Sequence, residues 1–180
     1  MPWGGKGHFV AYSRDGIRWE PDPRNPVVDF KNGLTDGQFV LGWDDNHGKY
    51  IAYMRPIVEF FDPERRTSAW VASDDFVNWG PPILAAAPDD EDLVETEYYC
   101  MTVAKYEGIC VGFIWVYHND TEFADQSRDT MLAVSRNGIT WSKPFPSERF
   151  LKPGEKGDWD SGFAVACNLI PVGDELWAYY

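Results

Sequence analysis

Seven letters recur three times in this chain, as SRDGIRW at 13–19, SDDFVNW at 73–79 and SRNGITW at 135–141. The copies begin 60 and 62 residues apart. A fixed period of this size marks a chain built from one supersecondary unit used repeatedly, each unit burying its apolar face on the next. The segments between the copies say what the unit is. Residues 36–44 (DGQFVLGWD), 49–55 (KYIAYMR), 67–73 (TSAWVAS) and 81–87 (PPILAAA) are short, rich in β-branched, aromatic and small apolar residues, and bounded by turn residues. The two prolines that open the last of them suit an edge strand, where a missing N–H costs no ladder bond. The next unit reads the same way: strands at 97–106, 109–118 and 129–135, then a short fourth at 148–152.

The ends of the chain complete the pattern. Residues 7–13 and 25–30 read as the third and fourth strands of a unit, and 160–170 and 175–180 as the first and second. The sequence thus predicts an all-β fold, a β-propeller of four-stranded antiparallel blades, with half a blade, two whole ones and half a blade per chain. The blade parts are 1–34, 35–95, 96–155 and 156–180 of a single domain. No segment carries a convincing 3.6-residue period, and the acidic loop 88–97 is read as a helical turn at most. The heptad itself is read as structural. Asp15-Gly16 and Asn137-Gly138 are strong signals for a type I′ hairpin, with Trp19, Trp79 and Trp141 returning to pack on the blade.

Charge narrows the partners. The chain carries 29 Asp and Glu against 16 Lys and Arg, a net charge of -13. A binder of phosphate backbones has the opposite sign, so neither nucleic acid nor an anionic membrane surface is expected. No apolar run approaches the ~18 residues a spanning helix needs, and the first residues lack an apolar signal core; the default expectation is a cytoplasmic protein. Aromatic residues make up 16% of the chain, 9 of them Trp, which serves bulky β packing and also provides surfaces for flat ligands such as sugar rings. Cys100, Cys110 and Cys167 lie in apolar strand-like runs and are read as buried free thiols, since no Cys-x-x-Cys pair occurs. The dispersed His8, His47 and His118 match no zinc spacing. No metal and no cofactor are expected.

In a propeller the first strand of each blade lines the central axis, and ligand groups come from its start. Registering the units on that point aligns Asp36, Glu97 and Asp160, 61 and 63 residues apart. Each blade would present one carboxylate at one height. Cleavage of a glycosidic bond uses one carboxylic acid to protonate the leaving oxygen and a second carboxylate to activate water or attack the sugar. A third can orient the sugar and act on the acid through like charge. Arg55 and His118, each ending a second strand, are candidate ligands for sugar hydroxyls, and Trp43, Trp115 and Tyr117 candidate stacking surfaces. Arg66 is expected to form an ion pair with a neighbouring Asp.

SRDGIRW, the strand GKYIAYMR, SDDFVNW and the segment GDWDSGFAVA together resemble the five-bladed propeller glycosidases, the superfamily that includes glycoside hydrolase families 32 and 43. The resemblance covers nearly the whole chain through short motifs. It implies an Asp base or nucleophile, an Asp that supports the transition state and a Glu acid, from successive blades. Carried over in that order, Asp36 is the supporting Asp and Glu97 the general acid. The first Asp would belong to the blade before Asp36, whose inner half the chain lacks, and Asp160 takes its place only if the assembly closes differently.

Five blades take roughly 300 residues at this period, and closed propellers usually have four to eight blades. The chain therefore reads as a fragment or as a short version that assembles. In the second case 175–180 of one copy pairs with 7–13 of another, and a homodimer closes a six-bladed ring. The leading function is a glycoside hydrolase-like propeller that acts on or binds a glycan or oligosaccharide. The alternatives are a non-catalytic carbohydrate-binding propeller and an interaction scaffold.

Overall fold

The computed structural model describes residues 7–29, 33–56, 61–62, 65–93, 95–118, 127–146 and 148–180. Two sheets dominate. The first is a four-stranded antiparallel sheet of β5 (Leu34–Asp44), β6 (Lys49–Pro56), β7 (Ser68–Ser73) and β8 (Ile83–Ala86), in chain order. The second joins β9 (Thr96–Tyr106), β10 (Ile109–His118) and β11 (Arg128–Ser135), also antiparallel and in chain order. In the second sheet the predicted fourth strand at 148–152 is reduced to one bridge, Thr130 to Leu151. Among the described residues there is no helix; the loop 88–97 is made of turns, apart from the start of β9 and residue 94, which lies outside the described residues.

Consecutive antiparallel sheets, each an up-and-down meander, are the arrangement of propeller blades. β9 is buried over its first nine residues, with only Tyr99 partly open, as expected of a strand near an axis that is covered on both faces. The core lies where the two sheets face each other. Ile51, Tyr53 and Trp70 of the first sheet meet Tyr98, Met101, Val103, Ile114, Val116 and Met131 of the second.

Both ends of the chain depart from the predicted strands. Residues 7–13 do not form one strand. They form β1 (Gly7–His8) and β2 (Ala11–Tyr12), which pair with β4 (Val28–Asp29) and β3 (Glu20–Pro21). The cause is Asn25. Its side chain accepts from Val10 N–H at 2.7 Å and donates to Val10 C=O at 2.7 Å, replacing a strand partner at that point. Residue 30, at the end of the predicted strand 25–30, lies outside the described residues, as do residues 1–6.

The predicted strand 160–170 is likewise mostly not a strand. Residues 162–166 lie across the second sheet instead. Arg128 N–H donates to Gly162 C=O, and Ala164 N–H to Arg128 C=O. The carbonyl of Ala164 takes a bond from the Thr130 hydroxyl, and that of Ala166 takes bonds from Thr102 and from the Trp115 indole. Only β12 (Leu169–Val172) and β13 (Glu175–Ala178) pair as a hairpin. Beyond this covered segment the chain emerges, so Cys167 is exposed, whereas Cys100 and Cys110 are buried.

The heptad is a turn in all three copies, but not of type I′. That turn needs positive φ at both central residues, and in the heptads only the fourth position has it: Gly16 at 72°, Phe76 at 65° and Gly138 at 71°. The preceding acid or amide serves as a cap. Asp15 Oδ1 accepts from the N–H groups of residues 17 and 18, Asp75 Oδ1 from 77 and 78, and Asn137 Oδ1 from 139 and 140. The serine hydroxyl accepts from the N–H two residues on in each copy. Phe76 holds the left-handed position without being Gly because its ring packs edge-on to Tyr50 and Trp79. The hairpin with two positive-φ residues is Glu107-Gly108, at 47° and 78°, between β9 and β10. The third heptad also joins the blades, since buried Tyr53 donates its hydroxyl to Gly138 C=O at 2.7 Å.

Candidate functional site at the sheet ends

Strand register gathers one group of side chains at one end of the two sheets. β5 begins where β6 ends, with Leu34 opposite Pro56. β9 begins where β10 ends, with Glu97 opposite Tyr117. β11 begins there too, with Arg128 opposite Tyr117. Asp36, Arg55, Glu97, Tyr117, His118 and Arg128 therefore share that end.

The ladder of both inner strands is broken here. In β5 the pairing skips from Leu34 to Gln38, leaving Asp36 and Gly37 outside the regular register. In β9 a bulge leaves Tyr99 unpaired, because Val116 faces Tyr98 and Trp115 faces Cys100. Bulges re-aim side chains and are common beside binding sites. Gly37 lets the two inner strands approach: a Cβ there would lie 2.8 Å from the Tyr99 carbonyl oxygen and 3.1 Å from Arg55 Cβ.

On this frame the charged groups are interleaved with rings. Asp36 forms an ion pair with Arg55, and Glu97 with Arg66. Arg66 thus pairs with a Glu on the next blade, where an Asp was expected. Asp36 is open, with two thirds of its side chain exposed (66%), whereas Glu97 is buried. Arg55 lies over the Tyr99 ring at 4.7 Å and Arg66 over Tyr117 at 5.1 Å. The two tyrosines are in contact, centroids 5.9 Å apart. Arg128 sits against both, at 4.4 Å and 5.0 Å, and against Phe163 at 4.4 Å. Such contacts are worth about 0.5–2 kcal/mol each, more as water is excluded. Next to the cluster, His118 Nε2 is 2.7 Å from Asp129, which also meets Arg149 at 2.9 Å.

The other predicted residues lie elsewhere or are used differently. Asp160 is folded over the preceding turn, so that a Cβ on Gly154 would fall 2.3 Å from its Oδ1. Among the described residues it reaches the cluster through the chain, its carbonyl accepting from Phe163 N–H at 3.3 Å. Trp43 is at the opposite end of β5, edge-on to Tyr50 and donating to Asp45 at 2.9 Å. Trp115 anchors Ala166. Tyr99 and Arg128 were not singled out from the sequence. An Arg opening the third strand, directly opposite Tyr117 in an antiparallel register, was the available signal for the second.

A separate cavity of about 290 Å³ lies between the first residues and the first sheet. Val10, Trp19, Val28, Met54, Phe76 and Trp79 line it, and no carboxylate does. His8 is the one titratable side chain along it, so it is a largely apolar packing junction between blades and not a second carboxylate site.

Fold and cluster define an all-β chain of propeller type with one cluster of charged and aromatic groups at one end of the blades. No protein-family model matches the sequence, and no curated protein matches it. Solved structures do match in fold. An N-acetylgalactosamine deacetylase from F. plautii, in complex with blood group B trisaccharide, aligns with 91% of this chain at 16% identity and TM-score 0.57. A β-1,2-mannobiose phosphorylase from Listeria innocua, in complex with β-1,2-mannobiose, aligns with 94% at 17% identity and TM-score 0.59. A family 117 glycoside hydrolase from the marine bacterium Zobellia galactanivorans aligns with 83% at 16% identity and TM-score 0.58. The chain spans about half the length of the structures it matches: 46%, 43% and 55% of these three.

Proposed function

We propose that this chain belongs to a glycoside hydrolase-like propeller that binds a glycan at the Asp36–Arg55–Tyr99–Tyr117–Arg66–Glu97 cluster. The observation that carries this reading is the convergence of two carboxylates, each paired to an Arg, around two touching tyrosine rings. Paired carboxylates and guanidinium groups suit the hydroxyls of a sugar; Tyr117 is buried rather than a stacking surface, so the partly open Tyr99 is the ring left to meet an apolar face. The fold shared with proteins solved with oligosaccharides is consistent with it. In the catalytic form Glu97 is the acid, Asp36 orients the sugar, and Asp160 supplies the base when closure of the ring brings it inward.

A screen of aryl glycosides with the chain and with Glu97→Gln tests this. Turnover is expected to fall by roughly 10²–10⁴-fold in the variant; equal turnover rejects the acid role. One observation favours the non-catalytic reading. The Arg66 contact engages the Glu97 carboxylate, which suits an orienting group and must give way before Glu97 can donate a proton. Binding on a glycan array without turnover would establish that form. Absence of both would leave an interaction scaffold.

Ring closure belongs to the same proposal. Leu176, Trp177, Tyr179 and Tyr180 stand 40–58% exposed at and beyond β13, and the proposed partners are the two short strands β1 and β2 of a second copy. Sedimentation at micromolar concentration is expected to give a dimer, and a monodisperse monomer would overturn this part.

A further inference from the structure

Among the described residues, the partly buried arginines are matched to acids, with one exception, which lies in the cluster. Of the arginines that are partly buried, Arg55 pairs with Asp36, Arg65 with Asp62, Arg66 with Glu97 and Arg149 with Asp129. Arg128 is partly buried as well, yet among the described residues no carboxylate is paired with it. Its Nε is fully buried without a hydrogen-bond partner. The rings of Tyr99, Tyr117 and Phe163 hold its faces, and they accept no hydrogen bond in the plane of the guanidinium. A half-buried charge with a buried donor that no acceptor meets is costly unless something pairs with the charge. Acids are abundant in this chain, and the closest along the sequence, Asp129, is instead held by His118 and Arg149.

We infer that Arg128 is a receptor for an anionic substituent on the bound sugar, a carboxylate or a sulfate ester. The guanidinium is planar, its orientation is set by three rings, and its outer N–H edge fits two oxygens of such a group side by side. Asp36 and Glu97 already neutralise Arg55 and Arg66, so Arg128 is the cluster's uncompensated positive charge. The field of a chain at -13 disfavours anions in general. Selection of an anionic sugar then requires a local, oriented cation, which is what Arg128 provides. This inference rests on the glycan reading above and names its substrate class.

The test is calorimetric titration of the full chain with three probes: a trigalacturonate, a sulfated galactan trisaccharide and a neutral galactotriose. At least one anionic probe is expected to bind ten-fold or more tightly than the neutral one, and the preferred probe tells carboxylate from sulfate. Arg128→Gln is expected to abolish the preference, read as the ratio of anionic to neutral affinity within the variant, whatever its effect on overall affinity. Arg128→Lys, which keeps the charge but not the planar fork, is expected to retain part of it and serves if the Gln variant does not fold; melting curves run beside each. A preference that survives in both variants overturns the assignment to Arg128. Equal binding of all three probes overturns the anionic class and leaves the glycan reading standing. Binding of none overturns both.

Discussion

Replacing Asp44 with alanine is expected to destabilise the chain by about 2–4 kcal/mol at neutral pH. Asp44 ends β5 and is 4% exposed. Its carboxylate takes Asn46 N–H at 2.9 Å, faces His47 Nδ1 at 2.8 Å, and forms an ion pair with Lys105 at the far end of β9. One group therefore caps the turn that closes its own hairpin and clamps that hairpin to the next blade. Lys105 is 36% exposed and recovers water when the acid is lost, so the loss stays below the extreme for a buried pair. The pH dependence identifies the cause. Burial pushes the Asp44 carboxyl up, but the bonds from Lys105, His47 and Asn46 outweigh it and hold it below its ordinary value. A depressed folded-state value contributes stability that is complete above the unfolded value, about 4, and fades as pH falls through the folded one. Urea unfolding of both proteins should show the gap closing below about pH 4. A gap that is as wide at low pH as at pH 7 would mean that lost packing, not charge, is responsible.

How far the sequence could be read follows from which interactions set each element. β5 to β7 and β9 to β11 were legible because alternating or continuous apolar runs between turn residues have few other ways to fold. Segments 7–13 and 160–170 carry the same apolar pattern, yet side chains rather than strands satisfy their backbones: Asn25 for Val10, and Thr102, Thr130 and Trp115 for residues 164 and 166. Nothing in the local pattern distinguishes the two cases. In the candidate site, the shared end of Asp36, Arg55, Glu97 and Tyr117 follows from counting strands. The aim of Tyr99 does not, because it depends on a bulge that breaks the period of two. Nor does the pairing of Arg66 with Glu97, 31 residues on and on the next sheet. The heptad's turn type was misread for a related reason: Asp-Gly and Asn-Gly favour type I′ when backbone preference decides, and here the Asp or Asn caps the turn instead.

Gly112→Val, in the second sheet's central strand, should destabilise the chain by more than the roughly 1–3 kcal/mol typical of overpacking. Two effects oppose each other. A glycine inside a strand is a poor choice, and valine recovers about 1 kcal/mol through its β preference. Against this, a Cβ at position 112 would sit 2.5 Å from Met101 Cε and 2.8 Å from Trp141 Cζ3. The methionine end can swing aside. The indole cannot, because its N–H donates to Gly138 C=O at 3.0 Å and its other neighbour is the buried Tyr53 ring, 5.9 Å away edge-on. Valine therefore displaces the tryptophan of the third heptad, and with it the turn that Tyr53 holds across the blade interface. Gly112→Ala should lose less. In a Trp141→Ala background Gly112→Val should become much milder, since its methyls enter the space the indole leaves; the coupling in that double-mutant cycle isolates the clash. Equal stability of Gly112→Val and the parent chain in urea would show instead that Trp141 is free to move, and that the heptad does not lock the two blades together.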